Sequence, residues 1–336
     1  MPTIIDVAIA AGVSTATVSR VLAKSGQVTD ATRRKVEEVI ARLGYSPNVA
    51  ARTLRTTRAG KLLITVPDIS NPFFSNVLRG AEEAARDAGY SVVIGDTRHD
   101  ARLENQYGEM LARKEVDGLV LLGHRVPDAL AARLRSRTGS VQVVSGCECS
   151  PELPVPSVHI DNVVAAQDAI EHLLELGHLR IGVITGPSDS PLTSDRLKGA
   201  RISVARHSGD ARLEIVQGDY SIESGARAAT DLINLGVTAI FCFSDEMAMG
   251  ALCAIKSLGL LCPQQISLVG FDDIRFSKFM DPPLTTVAQP QQEIGRHLIK
   301  LLNSIINKTQ AEAESVVLPH ELVIRSSTAD ACNRGR

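Results

Sequence analysis

The side chains with chemistry to offer fall into two groups. Near the start of the chain, Thr15-Ala16-Thr17-Val18-Ser19-Arg20 gathers hydroxyls and methyls around one arginine. A guanidinium is a planar fork able to read guanine, and threonine or alanine can meet a thymine methyl or a phosphate. Further on, Phe73-Phe74, Asp161-Asn162, Arg196, Asp219-Tyr220, Ser244-Asp245 and Asp272 are spread through regions of apolar runs and helical patterns. Arginine suits vicinal oxygens, and a carboxylate either takes ligand hydrogens or caps a helix. All of this is recognition chemistry. Reaction chemistry is missing: there is no G-x-S-x-G, no G-x-x-x-x-G-K-[ST], no H-E-x-x-H and no G-x-G-x-x-G after a strand, so no enzyme is expected. The six cysteines form no C-x-x-C, and no histidine lies at zinc-ligand spacing from a pair. Cys147-Glu148-Cys149 reads as a loop, and neither a metal nor a cofactor is expected.

Composition narrows the class. A chain of 336 residues, 44% hydrophobic and 22% charged, is ordinary for a globular protein of two or three domains, which excludes disorder, collagen and coiled coil as the main architecture. Apolar runs such as 237–243 are too short to span a bilayer, and Met1-Pro2-Thr3 enters a helical pattern without a basic leader. The expectation is a cytoplasmic protein with no membrane partner. Charge is uneven: residues 1–60 hold nine Lys/Arg against four Asp/Glu, while the remainder is net acidic. A basic head on an acidic body fits one end meeting a polyanion, or else a solvated basic face.

Both groups need elements to hold them. In the head, Thr3 and Asp6 form a capping-box pattern before Ile4, Val7, Ala8 and Ala11 at helical spacing. Gly12 stops this helix and Ser14 caps a second one, Thr15–Leu22, with Val18 and Val21 facing inward. After Thr29 a third helix carries the stripe Val36, Val39, Ile40, Leu43 and stops at Gly44. Two short helices about a glycine turn, closed by a third, make a helix-turn-helix. Residues at the start of its second helix reach base edges in the major groove.

The body alternates apolar runs (62–66, 91–95, 118–122, 142–145, 181–185, 238–243 and 266–271) with helical patterns such as 73–88, 163–176, 221–235 and 245–258. That is βα alternation with buried parallel strands, too many for one small sheet, so two similar lobes are expected. The echo of Val116-Asp117-Gly118-Leu119-Val120-Leu121 in Val237-Thr238-Ala239-Ile240-Phe241-Cys242 supports a pair. Ligands of open α/β sheets bind beyond the carboxyl ends of strands, and a cleft between two lobes gathers several such ends. One of the adjacent Phe73 and Phe74 is expected to be core and the other to face the cleft. Asp161 either binds ligand or caps the following helix.

The run Ile4-Ile5-Asp6-Val7-Ala8…Ala11-Gly12-Val13-Ser14-Thr15-Ala16-Thr17-Val18-Ser19-Arg20-Val21-Leu22 resembles the headpiece of the LacI/GalR family of bacterial repressors. So does Leu43-Gly44-Tyr45-Ser46-Pro47-Asn48…Ala51-Arg52…Leu54, and the resemblance extends through the whole chain. It implies a headpiece at 1–46, a hinge at 47–60 and a periplasmic-binding-protein-like body at 61–336. The body would have one lobe at about 61–160 and 290–319, and a second at about 161–289 and 320–330. The implied DNA contacts are Thr3, Ser14, Thr15, Ala16, Thr17, Ser19 and Arg20, with Asn48, Ala51, Arg52, Leu54 and Arg55 in the hinge. Leu54 matches a leucine that wedges into a base step of the minor groove; taken without the headpiece it reads as a linker anchor. Effector contacts are implied at Phe73, Phe74, Asp161, Arg196, Tyr220, Asp245 and Asp272, with Arg196 gripping hydroxyls and Asp272 taking two of them.

The family also implies a homodimer on a palindromic operator, and the polar end after Ile324, without a leucine heptad tail, argues against a tetramer. Segments such as Asn71-Pro72-Phe73-Phe74-Ser75 and Val158-His159-Ile160-Asp161-Asn162 are most similar to a nucleoside-responsive member, which implies a nucleoside or ribose-containing effector. Ser190 stands where a purine-responsive member has a basic residue, which argues against a purine base held in the same way.

Overall fold

The computed structural model describes residues 2–22, 27–45, 58–135, 141–148, 155–309 and 314–331. They belong to two compact units, Met1–Ala59 and Gly60–Arg336. The hinge residues Asn48, Ala51, Arg52, Leu54 and Arg55 lie outside the described residues.

The first unit holds helices α1 (Ile4–Ala11), α2 (Thr15–Leu22) and α3 (Asp30–Leu43). Its capping box is complete: Thr3 N donates to Asp6 Oδ2 at 2.7 Å and Thr3 Oγ1 accepts from Asp6 N at 3.4 Å. That reciprocal pairing satisfies two amides the first turn leaves over. Gly12, at φ 60°, ends α1 in the left-handed region that a side chain would disfavour. Val7, Ala11, Val18, Val21, Val36 and Val39 close a small core among the three helices.

The second unit is built twice on one plan. Strands β1 (Lys61–Val66), β2 (Ser91–Asp96), β3 (Gly118–Leu121), β4 (Val143–Gly146) and β5 (Ser157–Ile160) form a parallel sheet ordered β2-β1-β3-β4-β5. Strands β6 (Arg180–Thr185), β7 (Arg212–Gln217), β8 (Ala239–Cys242), β9 (Ser267–Asp272) and β10 (Thr285–Ala288) repeat it as β7-β6-β8-β9-β10. The echoing segments thus become β3 and β8, third in chain order and equivalent in position. Short strands β11 (Val316–Leu318) and β12 (Glu321–Val323) extend the two sheets, β11 parallel to β5 and β12 antiparallel to β10.

Helices α4 (Pro72–Asp87), α5 (Ala101–Ala112), α6 (Asp128–Arg135) and α11 (Gln291–Asn307) accompany the first sheet. Helices α7 (Asn162–Glu175), α8 (Pro191–Arg206), α9 (Ile222–Asn234) and α10 (Asp245–Ser257) accompany the second. The chain therefore passes between sheets three times: after β5, between β10 and α11, and between β11 and β12. Because helices cover both faces, strands such as β3, β4, β8 and β9 are buried along their whole length and read as continuous apolar runs. Among the described residues no single helix is long and apolar enough to cross a membrane.

Candidate functional site: a two-lobed cleft and a separate helix-turn-helix

In the headpiece, Ser14 Oγ accepts from Thr17 N at 3.1 Å and so opens α2 as its cap. Val18 and Val21 turn into the core. Thr3, Ser14, Thr15, Ala16 and Arg20 are exposed, and Thr17 and Ser19 are half-buried. Hydroxyls and a methyl are thereby presented at the start of a short helix, with a guanidinium in its last turn, on an element of the shape a major groove admits.

In the body, the carboxyl ends of both sheets line a cavity of about 680 Å³. That is room for a small polar molecule of drug size. The first wall comes from β1–α4, β3 and β4: Phe73, Phe74, His124 and Glu148 all line it. Phe73 and Phe74 meet edge to face at 5.2 Å; Phe73 is buried in the core and Phe74 is half-buried. The second wall carries Ser190, Arg196, Tyr220, Phe243, Glu246 and Asp272, with Gln289 at a crossing.

Arg196 is held on three sides. Its Nε donates to Asn162 Oδ1 at 2.9 Å, its Nη1 donates to the Phe243 carbonyl, and its guanidinium lies 3.5 Å from the Phe271 ring centroid. Stacking and fixed bonds pre-set the fork, so little freedom remains to be lost on binding. Asp272 closes β9 at φ 115°, in the region that favours glycine. Such a conformation costs about 1–3 kcal/mol and concentrates at functional positions. Its Oδ1 accepts from Gln289 Nε2 at 2.7 Å and its carbonyl from Gln291 Nε2 at 2.6 Å. Burial pushes its carboxyl well above the usual range against the pull of Arg196. Tyr220, also at positive φ, hydrogen-bonds Thr193 through its hydroxyl at 3.2 Å.

Two of the expected effector contacts are committed elsewhere. Asp161 is exposed and caps α7: its Oδ1 accepts from Val163 N and Val164 N, both at 3.0 Å, and it does not line the cavity. Asp245 is fully buried beneath the site. Its carboxylate accepts from Ile274 N at 2.8 Å, Ser277 Oγ at 2.5 Å and Thr286 Oγ1 at 2.6 Å. Burial pushes this carboxyl up to about 6, while the three donors pull it back. It fastens the loop after β9, and with it the chain leaving Asp272, to β10. Gly270 makes the room, since a Cβ there would sit 2.2 Å from Asp245 Oδ1.

Three further cleft residues are not among the expected ligand contacts. Glu148 follows β4, is buried, and accepts from Ser190 Oγ at 2.5 Å. His124 follows β3 and meets Glu148 Oε2 through Nδ1 at 3.2 Å. Gln289 sits between β10 and α11 and holds Asp272. All three stand just beyond strand ends, so the strand-end rule that selected Asp272 would also have selected them.

The N-terminal residues 3–48 match a family model described as bacterial regulatory proteins, lacI family, and residues 170–328 match a periplasmic binding protein-like domain. The chain is 42% identical over 328 residues to the HTH-type transcriptional repressor CytR of Escherichia coli (strain K12), covering 96% of this chain and 95% of that one. The lac repressor dimer bound to operator and the anti-inducer ONPF superposes with a TM-score of 0.86 at 30% identity, covering 98% and 99% of the two chains. A LacI family regulator from Enterococcus faecium with bound ribose gives a TM-score of 0.73 at 27% identity, covering 80% and 98%.

Proposed function

The chain belongs to the LacI family of bacterial regulatory proteins, and from that membership we propose a cytoplasmic homodimeric repressor whose hold on a palindromic operator is set by a nucleoside in the two-lobed cleft. Its relatives are transcriptional regulators, and the chain is a DNA-binding regulator rather than an enzyme. Operator contacts fall to Thr3, Ser14, Thr15, Ala16, Thr17, Ser19 and Arg20, with the hinge residues Asn48, Ala51, Arg52, Leu54 and Arg55 in the minor groove.

The observation that carries the effector reading is the pairing of Asp272 and Arg196 on one wall with the half-buried Phe74 ring on the other. The Oδ2 of Asp272 takes no hydrogen bond from the described residues, and the charge of Arg196, whose guanidinium is fixed on Phe271, acts on this carboxyl from the same wall. A carboxylate and a fork side by side suit vicinal hydroxyls, and an aromatic edge suits a flat ring. Ribose with a base attached supplies both. The relative solved with ribose supports the hydroxyl half of this reading and favours the second candidate, ribose alone.

The mechanism has two states. Lobe arrangement sets the spacing of the paired hinges and hence their fit to DNA, and the ligand acts only through its differential affinity for the two arrangements. Calorimetric titration with cytidine, adenosine, uridine, ribose and a free base tests the assignment. Saturable binding of nucleosides but not of the free base is the expected result. Binding of ribose or a hexose alone would retain the repressor and discard the nucleoside.

A further inference from the structure

Two polar side chains of the second lobe reach across the cleft to the first. Ser190 is the N-cap residue of α8, yet its hydroxyl makes no capping bond and is spent instead on Glu148 Oε1. Asp189, beside it, accepts from Arg125 Nη2 at 3.1 Å and lies 3.8 Å from His124 Nε2. His124 Nδ1 in turn meets Glu148 Oε2, so one imidazole stands between a carboxylate of its own lobe and a carboxylate of the other. All five residues line the cavity.

We propose that His124, Glu148, Asp189 and Ser190 form a latch that holds the two lobes together across the ligand and holds them more tightly while His124 carries its proton. A neutral imidazole has one N–H to offer, whereas the protonated ring donates from both nitrogens and can face both carboxylates at once. The hydrogen bond to Glu148, with the charges of Glu148 and Asp189, raises the His124 pKa against burial and Arg125. The other charged groups about the ring are Glu104 on α5, which His124 stabilises in its ionised form, and Arg98 and His99 on the loop after β2; the His99 carbonyl takes Arg125 Nη1 at 3.1 Å. Tyr220 faces Glu148 from the second lobe.

The sign follows from where the proton is bound. Closing the lobes brings Asp189 to the ring and raises its affinity for a proton, so closure takes up a proton and is favoured below the raised pKa. Opening the cleft removes Asp189 and lets the value fall back. Ligand affinity should therefore fall as the pH rises through the His124 titration.

The test uses the full-length protein. The His124 resonance, assigned by its loss in His124→Gln, is followed through a pH titration by NMR. Its midpoint should lie above that of an ordinary histidine and should fall in Asp189→Asn. Cytidine affinity measured across the same range should drop about fivefold on the alkaline side in the wild type and stay level in His124→Gln. A midpoint unmoved by Asp189→Asn, or an alkaline limb that survives His124→Gln, would overturn the latch. The affinity arm rests on the nucleoside reading and the titration arm does not. If cytidine fails to bind while the midpoint moves as described, the latch stands and the nucleoside assignment falls.

Discussion

The two lobes share one strand order, yet they furnish the cleft differently. The second lobe offers a rigid wall: Arg196 is clamped by Asn162, Phe243 and Phe271, and the loop after Asp272 is tied down by the fully buried Asp245. The first lobe offers a half-buried ring at Phe74 and the titratable pair His124 and Glu148. Recognition of hydroxyls demands fixed geometry, and the polar network under the second wall supplies it. A wall that must move against its partner is better served by contacts that can be made and broken. On the proposed function and latch, one fold used twice divides into a reading half and a responding half.

Substitutions can break this division. Asp245→Ala should have the largest effect, leaving two hydroxyls and an amide unpaired in a dry site and costing about 4 kcal/mol by chemical denaturation. Asp272→Ala should weaken cytidine binding about 100-fold by calorimetry while operator affinity in the absence of ligand is retained. If that variant binds cytidine normally, the second lobe is not the reading half. The two phenylalanines should separate: Phe73→Ala costs about 3 kcal/mol of stability, whereas Phe74→Ala lowers ligand affinity about tenfold with little change in stability. Asp161→Ala should be smallest, about 1 kcal/mol from a lost cap with unchanged cytidine affinity.

Sequence reasoning reached the fold because the signals were local. The Thr3–Asp6 box, the αL stops at Gly12 and Gly44 and the apolar runs of buried strands lie within a few residues of the features they specify. The cleft was harder for a physical reason. Carboxylates that cap helices and carboxylates that bind ligands both follow strands, and only their partners distinguish them. The donors to Asp245 come from positions 274, 277 and 286, and Glu148 finds Ser190 across more than forty residues of chain. Neither partner is visible from the neighbouring sequence, so Asp245 reads as an effector contact and Glu148 does not, whereas the donors to Asp161 are local and its capping role is legible as one of two alternatives. That one of Phe73 and Phe74 is core follows from their adjacency on a helix, but which one does not: both reach the cavity, and burial alone marks Phe73 as the core member.

If the cleft governs the hold on DNA, occupying it must change operator affinity. The most direct test is the affinity of the full-length protein for a palindromic operator at fixed salt, with and without saturating cytidine, in wild type, Arg20→Ala and Asp272→Ala. Cytidine should shift wild-type operator affinity at least about fivefold, and Asp272→Ala should abolish the shift. In Arg20→Ala, operator binding should weaken while cytidine affinity is retained. Saturable cytidine binding that leaves wild-type operator affinity unchanged would contradict that control by the cleft.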